Sequence, residues 1–388
     1  MQPTQDSNVT RTGEVLAVSL ELANKDWKMA LDDGRRKAPT VCGGVVKHVE
    51  PAQRLQQAVA VIEATKKKWA MAAGVRVVIV YEAGQDGFWM QRALAERGYE
   101  VLVVDPASIP VNRQARRAKT DRLDAILLVR ALRGWLGGES DRMRVVHVPS
   151  VAAEGQRQLT RERGILQKEI GQHQDRMRKL LRTEGCWDGA GGDLGERLAG
   201  GAVKRHDGSA LTEQLQQRLV REWARLQLAQ AQMVELQRSL AEQLPEAVQL
   251  RIAQLMQLKA VGVIGAQRLL LELFWRNFNN RREVGSCVGL VPQPYNSGES
   301  RVDQGISKAG NRRVRALLIE MAWLWLRWQR QSELAQWFFR RTAGTGSNKR
   351  SKRIAIVAVA RRLAILLWRY LQDGVLPKDV LLKPVRAS

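Results

Sequence analysis

Val75-Arg76-Val77-Val78-Ile79-Val80-Tyr81 is a nearly unbroken apolar run that stops on a carboxylate, Glu82. Branched side chains at that density fit a pleated strand, and the missing polar alternation demands apolar cover on both faces. The surroundings are thereby constrained to a layered α/β arrangement. Glu14 to Leu22 and Trp27 to Leu31 read as strands, Asp32-Asp33-Gly34 as the turn that follows, and Gly44 to Val49 as a weaker third strand, together an antiparallel meander. Pro51 to Ala72 and Phe88 to Gly98 read as helices, and Tyr99 to Val104 as a strand that stops before Pro106. A helix starting at Asp121 completes the order βββαβαβα.

That helix carries the most telling acids. Asp121 and Asp124 in Lys119-Thr120-Asp121-Arg122-Leu123-Asp124-Ala125 stand three apart at the head of an apolar-periodic segment, so a helix puts both carboxylates on one face. Their repulsion is tolerable at the positive end of a helix and becomes an asset if a divalent cation sits between them. A capped, solvated first turn is the bland alternative, which these residues alone leave open. Glu21 and Glu82 each lie near a strand end, so both can converge with this helix on one sheet edge.

Farther along, Val151 to Arg182 and Leu211 to Leu244 are rich in Gln, Arg, Leu and Glu at helical spacing and predict two long amphipathic helices. The glycine-dense stretch 185–201 between them reads as a loose tip. Leu255 to Ala266 contains Gly262 and Gly265 in a turn before a helix expected over Gln267 to Phe274, which reads either as a helix-hairpin-helix whose free N–H groups suit a phosphate or as a tight turn with no ligand. Gly289 to Ser300 reads as a loop and Arg340 to Arg353 as a flexible basic loop, with helices around them up to about Leu371. Three parts follow: an α/β domain over 1–145, a helical coiled-coil spacer over 146–250, and a mainly α domain over 251–388.

Charge limits the partners. Lys and Arg number 63 against 39 Asp and Glu, a net +24 over 388 residues, which points to a polyanion and most directly to nucleic acid. No apolar run approaches the roughly 20 residues of a spanning helix, so no membrane is expected. Met1-Gln2-Pro3-Thr4-Gln5-Asp6 has no signal-peptide pattern, and the cytoplasm is the expected compartment. Three dispersed cysteines and four scattered histidines argue against a disulfide framework or a zinc site. Any metal here would be held by carboxylates.

The order of these features resembles the DEDD transposases of the insertion-sequence one-ten family, whose members are bridge-RNA-guided recombinases. The likeness rests on a strand acid, the later Glu82, the Lys119-Thr120-Asp121…Asp124-Ala125 segment, a helical spacer, the Gly262/Gly265 turn, and the block Gly289-Leu290…Tyr295-Asn296-Ser297-Gly298…Ser307-Lys308-Ala309-Gly310…Arg315. It implies an RNase H-like (RuvC-like) domain joined by a coiled coil to a transposase domain. It also implies metal ligation by Glu82, Asp121 and Asp124, one or two Mg²⁺ ions, and a serine nucleophile at Ser297. The family's first-strand acid is commonly aspartate; here the strand offers Ser19 and Glu21, and the downstream Lys25-Asp26-Trp27 anchor favours Glu21. The partners implied are donor and target DNA, a structured guide RNA, and a homodimer assembling to a tetramer.

Four carboxylates on neighbouring elements suit phosphoryl transfer, and a serine would conserve the phosphodiester as a protein ester rather than lose it to water. Arg301, Lys308, Arg312 and Arg313 follow Ser297 closely enough to hold a scissile phosphate, while Arg113, Arg116, Arg117 and Lys119, with Lys349, Arg350, Lys352 and Arg353, are expected on backbone phosphates. Two other readings stay open: a junction-resolving nuclease using metal-activated water, and a non-catalytic basic RNA-binding scaffold.

Overall fold

The computed structural model describes residues 14–24, 26–45, 50–109, 120–187, 191–297, 300–344 and 348–384, with 43–45, 295–297 and 300–303 described by their backbone. Two compact units divide the chain, Met1–Val148 and Pro149–Ser388.

The first unit is built on a five-stranded sheet of β1 (Val15–Leu22), β2 (Trp27–Asp32), β3 (Thr40–Val45), β4 (Arg76–Glu82) and β5 (Glu100–Val104), in the order β3-β2-β1-β4-β5. The β1–β2 and β2–β3 pairs are antiparallel, whereas β1–β4 and β4–β5 are parallel. Three helices cover it: α1 (Pro51–Lys68) and α2 (Trp89–Ala95) on one face, α3 (Asp121–Leu136) on the other. Strand alternation explains the split. Leu16, Val18, Leu20, Ile79 and Tyr81 pack with Leu55, Ile62, Met90 and Leu94, while Ala17, Val78 and Val80 pack with Ala125, Leu128, Val129 and Leu132. The element order expected from the sequence is thus the order found. β3 starts at Thr40, before the expected Gly44, because Gly34 adopts a left-handed turn (φ 74°) and the returning chain pairs Thr40 and Val41 with Leu31 and Ala30; 46–49 of that expectation lie outside the described residues.

The second unit is helical apart from one hairpin. It contains α4 (Val151–Thr183), α5 (Leu194–Ala199), α6 (Glu213–Glu242), α7 (Glu246–Met256), α8 (Val263–Glu272), α9 (Arg281–Cys287), the strands β6 (Pro292–Ser297) and β7 (Ser300–Ile306), then α10 (Arg312–Trp328), α11 (Glu333–Thr342) and α12 (Lys349–Asp373). The long helices α4 and α6 pair antiparallel through Leu166, Ala229, Met233 and Leu236. Helices α7 to α12 enclose a separate core around the fully buried Trp325, whose Nε1 donates to Ser332 Oγ at 3.0 Å.

Four local expectations need correction. The tip between α4 and α6 is packed rather than loose: Cys186, Leu194, Leu198, Val203 and Leu211 are buried against Met177, Leu181, Leu219 and Leu226, and a Cβ on Gly195 would strike Trp223 Nε1 at 2.1 Å. Gly289 to Ser300 is not a loop, since Pro292 to Ser297 pair in register with Ser300 to Ile306. Within 340–353, residues 340–342 and 349–353 are helix; Asn348 caps α12 by accepting from the N–H groups of Arg350 and Ser351 at 3.0 and 3.2 Å. Finally, α8 begins at Val263, four residues before the expected Gln267, with Gly262 at its N-cap.

Candidate active site

The acids of the first unit occupy the ends of elements whose middles are buried. Glu21 and Glu82 have the strand parity of Ala17 and Val80, so both belong to the sheet face that α3 covers. The parallel ladder sets Ser19 opposite Val80 and Leu20 opposite Tyr81, and its next step places Glu21 beside Glu82. Both strands run toward the same edge.

Helix α3 delivers the aspartates there. Thr120 caps it, accepting from the Leu123 N–H at 3.3 Å, and Asp121 and Asp124 fill its first turn, the former exposed and the latter half-buried. A buried hydroxyl fixes the register between helix and strand: Ser19 Oγ donates to the Ala125 carbonyl at 2.7 Å, pinning the residue after Asp124 above β1 two residues before Glu21. At the other end Arg133 Nε reaches Asp32 Oδ1 at 3.2 Å and its Nη2 donates to the Val15 carbonyl at 2.7 Å. Sequence reading missed both clamps. The signal for the first was a serine in an otherwise apolar strand.

Four carboxylates offer only hard oxygen donors, the chemistry that Mg²⁺ or another hard divalent cation requires. Their residue types and common face fit such an ion. Among the described residues, however, no three His, Cys, Asp or Glu side chains are gathered into a metal cage, so a cation would have to draw these acids inward.

Ser297 belongs to the second unit, as the last residue of β6 opposite Ser300. Its side chain and that of Arg301 lie outside the described residues, as do Arg113, Arg116, Arg117 and Lys119. The hairpin base is described fully. Ser307 N–H donates to Val291 O at 2.9 Å, Lys308 N–H to Gly289 O at 3.1 Å, and Asn311 N–H to Cys287 O at 3.0 Å. Gly289 (φ 65°) and Gly310 (φ 87°) face opposing backbone so closely that a Cβ would lie 1.9 Å from Ala309 O or 2.1 Å from Cys287 O. Gly289 and Gly310 therefore anchor the base of the hairpin.

The remaining cations separate into two groups. Lys308, Arg312, Lys349, Arg350, Lys352 and Arg353 are exposed, the last four on the opening turns of α12. Arg313 is turned inward instead: its Nη2 donates to the Thr160 and Arg161 carbonyls at 3.3 and 3.1 Å, and its Nε lies 3.7 Å from Glu272. An arginine so engaged holds α4 against α8 and α10, which corrects the expectation that it grips a phosphate. The exposed Gly262 leaves the first N–H groups of α8 without a side-chain cap, and Gly265 sits in the next turn, where a Cβ would touch Met321 Sδ at 3.5 Å.

Residues 252–336 match the family described as Transposase IS116/IS110/IS902, and residues 47–184 match the DEDD transposase family. A transposase-named protein of Sinorhizobium fredii (strain NBRC 101917 / NGR234), y4rJ, is 36% identical over 383 residues, covering 94% of each chain. The transposase for insertion sequence element IS1328 of Yersinia enterocolitica is 25% identical over 300 residues, 76% of this chain and 84% of its own length.

Proposed function

This chain belongs to the IS116/IS110/IS902 transposase family, and we propose that it cuts and rejoins DNA at an insertion sequence through Ser297, with Mg²⁺ held by Glu21, Glu82, Asp121 and Asp124 and with an RNA as the guide. The observation that supports this reading is that Glu21 and Glu82 stand on adjacent strands with the parity of the sheet face that α3 covers, and that Asp121 and Asp124 fill the first turn of that helix. The strand order β3-β2-β1-β4-β5, three antiparallel and then parallel, supports an RNase H-like assignment for the first unit.

When bound, the metal neutralises charge on the scissile phosphate and polarises it toward attack. The chain supplies the rest. Attack by Ser297 Oγ on phosphorus forms a phosphoserine ester and releases a deoxyribose hydroxyl, with the serine proton passing to solvent. A hydroxyl from another strand then displaces the serine, so the phosphodiester is conserved without ATP. Exposed Lys308 and Arg312 near the hairpin base orient the phosphate, and Lys349 to Arg353 hold flanking backbone. Because such contacts read no base, sequence choice falls to pairing with a guide RNA. Acids and serine belong to separate units, and α4 and α6 form a coiled-coil spacer through which two protomers, and then four, complete one another. The setting is the cytoplasm, at the nucleoid; no described helix is long and apolar enough to cross a membrane.

With Mg²⁺, RNA and both DNAs supplied, the wild type should give a denaturation-resistant protein–DNA adduct that mass spectrometry maps to Ser297. Ser297→Ala should retain RNA binding and lose both adduct and recombination. Recombination by that variant, or an adduct elsewhere, would make a water-using nuclease the better reading.

A further inference from the structure

Beside the hairpin base, α9, α11 and α12 border a cleft of 930 Å³. Arg281 and Arg282 line it from α9, and Arg350, Arg353, Arg361 and Arg362 from α12. Ile354, Val357, Ile365 and Trp337 line the same cleft. One face of α12 supplies both layers, since its lining residues recur at three- and four-residue steps from Arg350 to Ile365. The resulting groove runs about 18 Å from Arg350 to Arg362 at helical rise.

Its charge is uncompensated among the described residues. Among the described residues no acidic side chain lines the cleft, and none of the six arginines pairs with an acid. Arg361 Nε is buried there without a hydrogen-bond partner among the same residues. Arg362 stacks on Trp337, 3.9 Å from the ring centroid, which keeps that indole at the cleft wall. Two of these cations, Arg350 and Arg353, also sit at the positive end of α12, where they are unfavourable unless an anion is near.

We propose that this cleft takes an unpaired stretch of a polynucleotide, its bases laid on the apolar floor and its phosphates on the arginine rim. A duplex presents phosphates but keeps its base faces stacked inside, so it engages the rim without reaching the floor. Base stacking on apolar and aromatic surface with arginines along the backbone is the general chemistry of single-strand binding. A cleft with this function would keep a strand separated after DNA is opened. Here the inference rests on the proposed strand exchange only for the source of that strand.

The test uses the full chain without divalent cation, so that no cleavage is needed and failure of the serine mechanism leaves it untouched. Oligo-dT, oligo-rU and a duplex of equal length carry a fluorophore and are followed by anisotropy. Ala358→Phe, which fills the floor, should weaken single-strand binding by about tenfold or more while changing duplex binding less than twofold. Ile354→Ser is the second variant, at a side chain already 63% exposed and therefore harmless to the fold. Selective loss for oligo-dT names DNA as the source of the strand, and selective loss for oligo-rU names RNA. Independently, 5-iodouracil placed in the oligonucleotide should photocrosslink wild-type protein at Trp337. Unchanged single-strand affinity in both variants, equal loss for the duplex, crosslinks confined to residues outside the cleft, or displacement of the oligonucleotide by polyglutamate at equal charge concentration would each overturn the proposal.

Discussion

Carboxylates of the two units sit in contrasting settings. In the first, Asp121 and Asp124 stand in the open first turn of α3 near the ends of β1 and β4. In the second, Glu272 and Glu222 are buried at 3% and 4% exposure and hydrogen-bonded from several sides. Glu272 accepts from Thr160 Oγ1 at 3.1 Å and Asn311 Nδ2 at 3.2 Å, with Arg313 nearby; Glu222 accepts from Arg176 at 2.7 Å and Arg225 at 3.0 Å, and bonds His173 Nδ1 at 2.7 Å. Burial with satisfied lone pairs marks an acid that holds helices together. Asp121, exposed, and Asp124, half-buried, are instead the first-turn acids proposed to take the metal.

The sharpest way to break this contrast is Asp124→Asn. A neutral amide is a poor ligand for a hard cation, so Mg²⁺-dependent strand cleavage should fall roughly a thousandfold, about 4 kcal/mol in barrier, while the thermal midpoint stays unchanged. Normal cleavage, or loss of activity caused by unfolding, would remove Asp124 from the site. Glu272→Ala should invert the pattern. Losing the acceptor strands Asn311 and Arg313 at the α4–α8–α10 junction, and denaturant unfolding should show about 3 kcal/mol of destabilisation. If stability is untouched, burial is not what distinguishes the two classes of acid.

These acids were not equally legible in the sequence. Asp121 and Asp124 announced themselves, because a capped helix start with two acids on one face is a local pattern. Glu21 and Glu82 showed as acids near the ends of expected strands, and the apolar run at Val75 to Tyr81 dictated a sheet covered on both faces. Glu222 and Glu272 were invisible. Each is an ordinary polar residue of an amphipathic helix until tertiary packing brings Arg176 or Arg313 to it, through partners 46 and 41 positions away. The packed tip failed to show for a related reason: glycine density suggests looseness, yet Gly195 is required because Trp223 leaves no room for a side chain. The β6–β7 hairpin was hidden by Pro292 and Pro294, residues that weaken a strand reading but are tolerated in a two-stranded ribbon with open edges.

A smaller effect should separate the two classes by pH. Burial would raise the Glu222 carboxyl, but hydrogen bonds from His173 and Arg176 outweigh it and hold the group below its ordinary value. A carboxyl depressed in the folded state adds stability that is complete above its unfolded value, near 4.5, and is lost as pH falls through the lower folded value. Hydrogen exchange of α4 and α6 should therefore accelerate below about pH 4.5, and Glu222→Gln should flatten that acid limb. An identical pH profile in the variant would show that the network contributes nothing.

The finest distinction lies within one strand, between Ser19 and Glu21, which share a face. Ser19 is fully buried and spends its hydroxyl on the Ala125 carbonyl, so Ser19→Ala should cost about 1 kcal/mol of stability and leave cleavage within a few-fold of wild type. Glu21 stands two residues on, where β1 nears its end beside Glu82, and Glu21→Gln should abolish Mg²⁺-dependent cleavage with little change in stability. Paired measurements of the thermal midpoint and single-turnover cleavage settle the order. If Ser19→Ala is the inactive variant and Glu21→Gln the mild one, the first-strand position belongs to the serine. The clamp on Ala125 would then act on catalysis by aiming Asp124, rather than by merely seating α3 on the sheet.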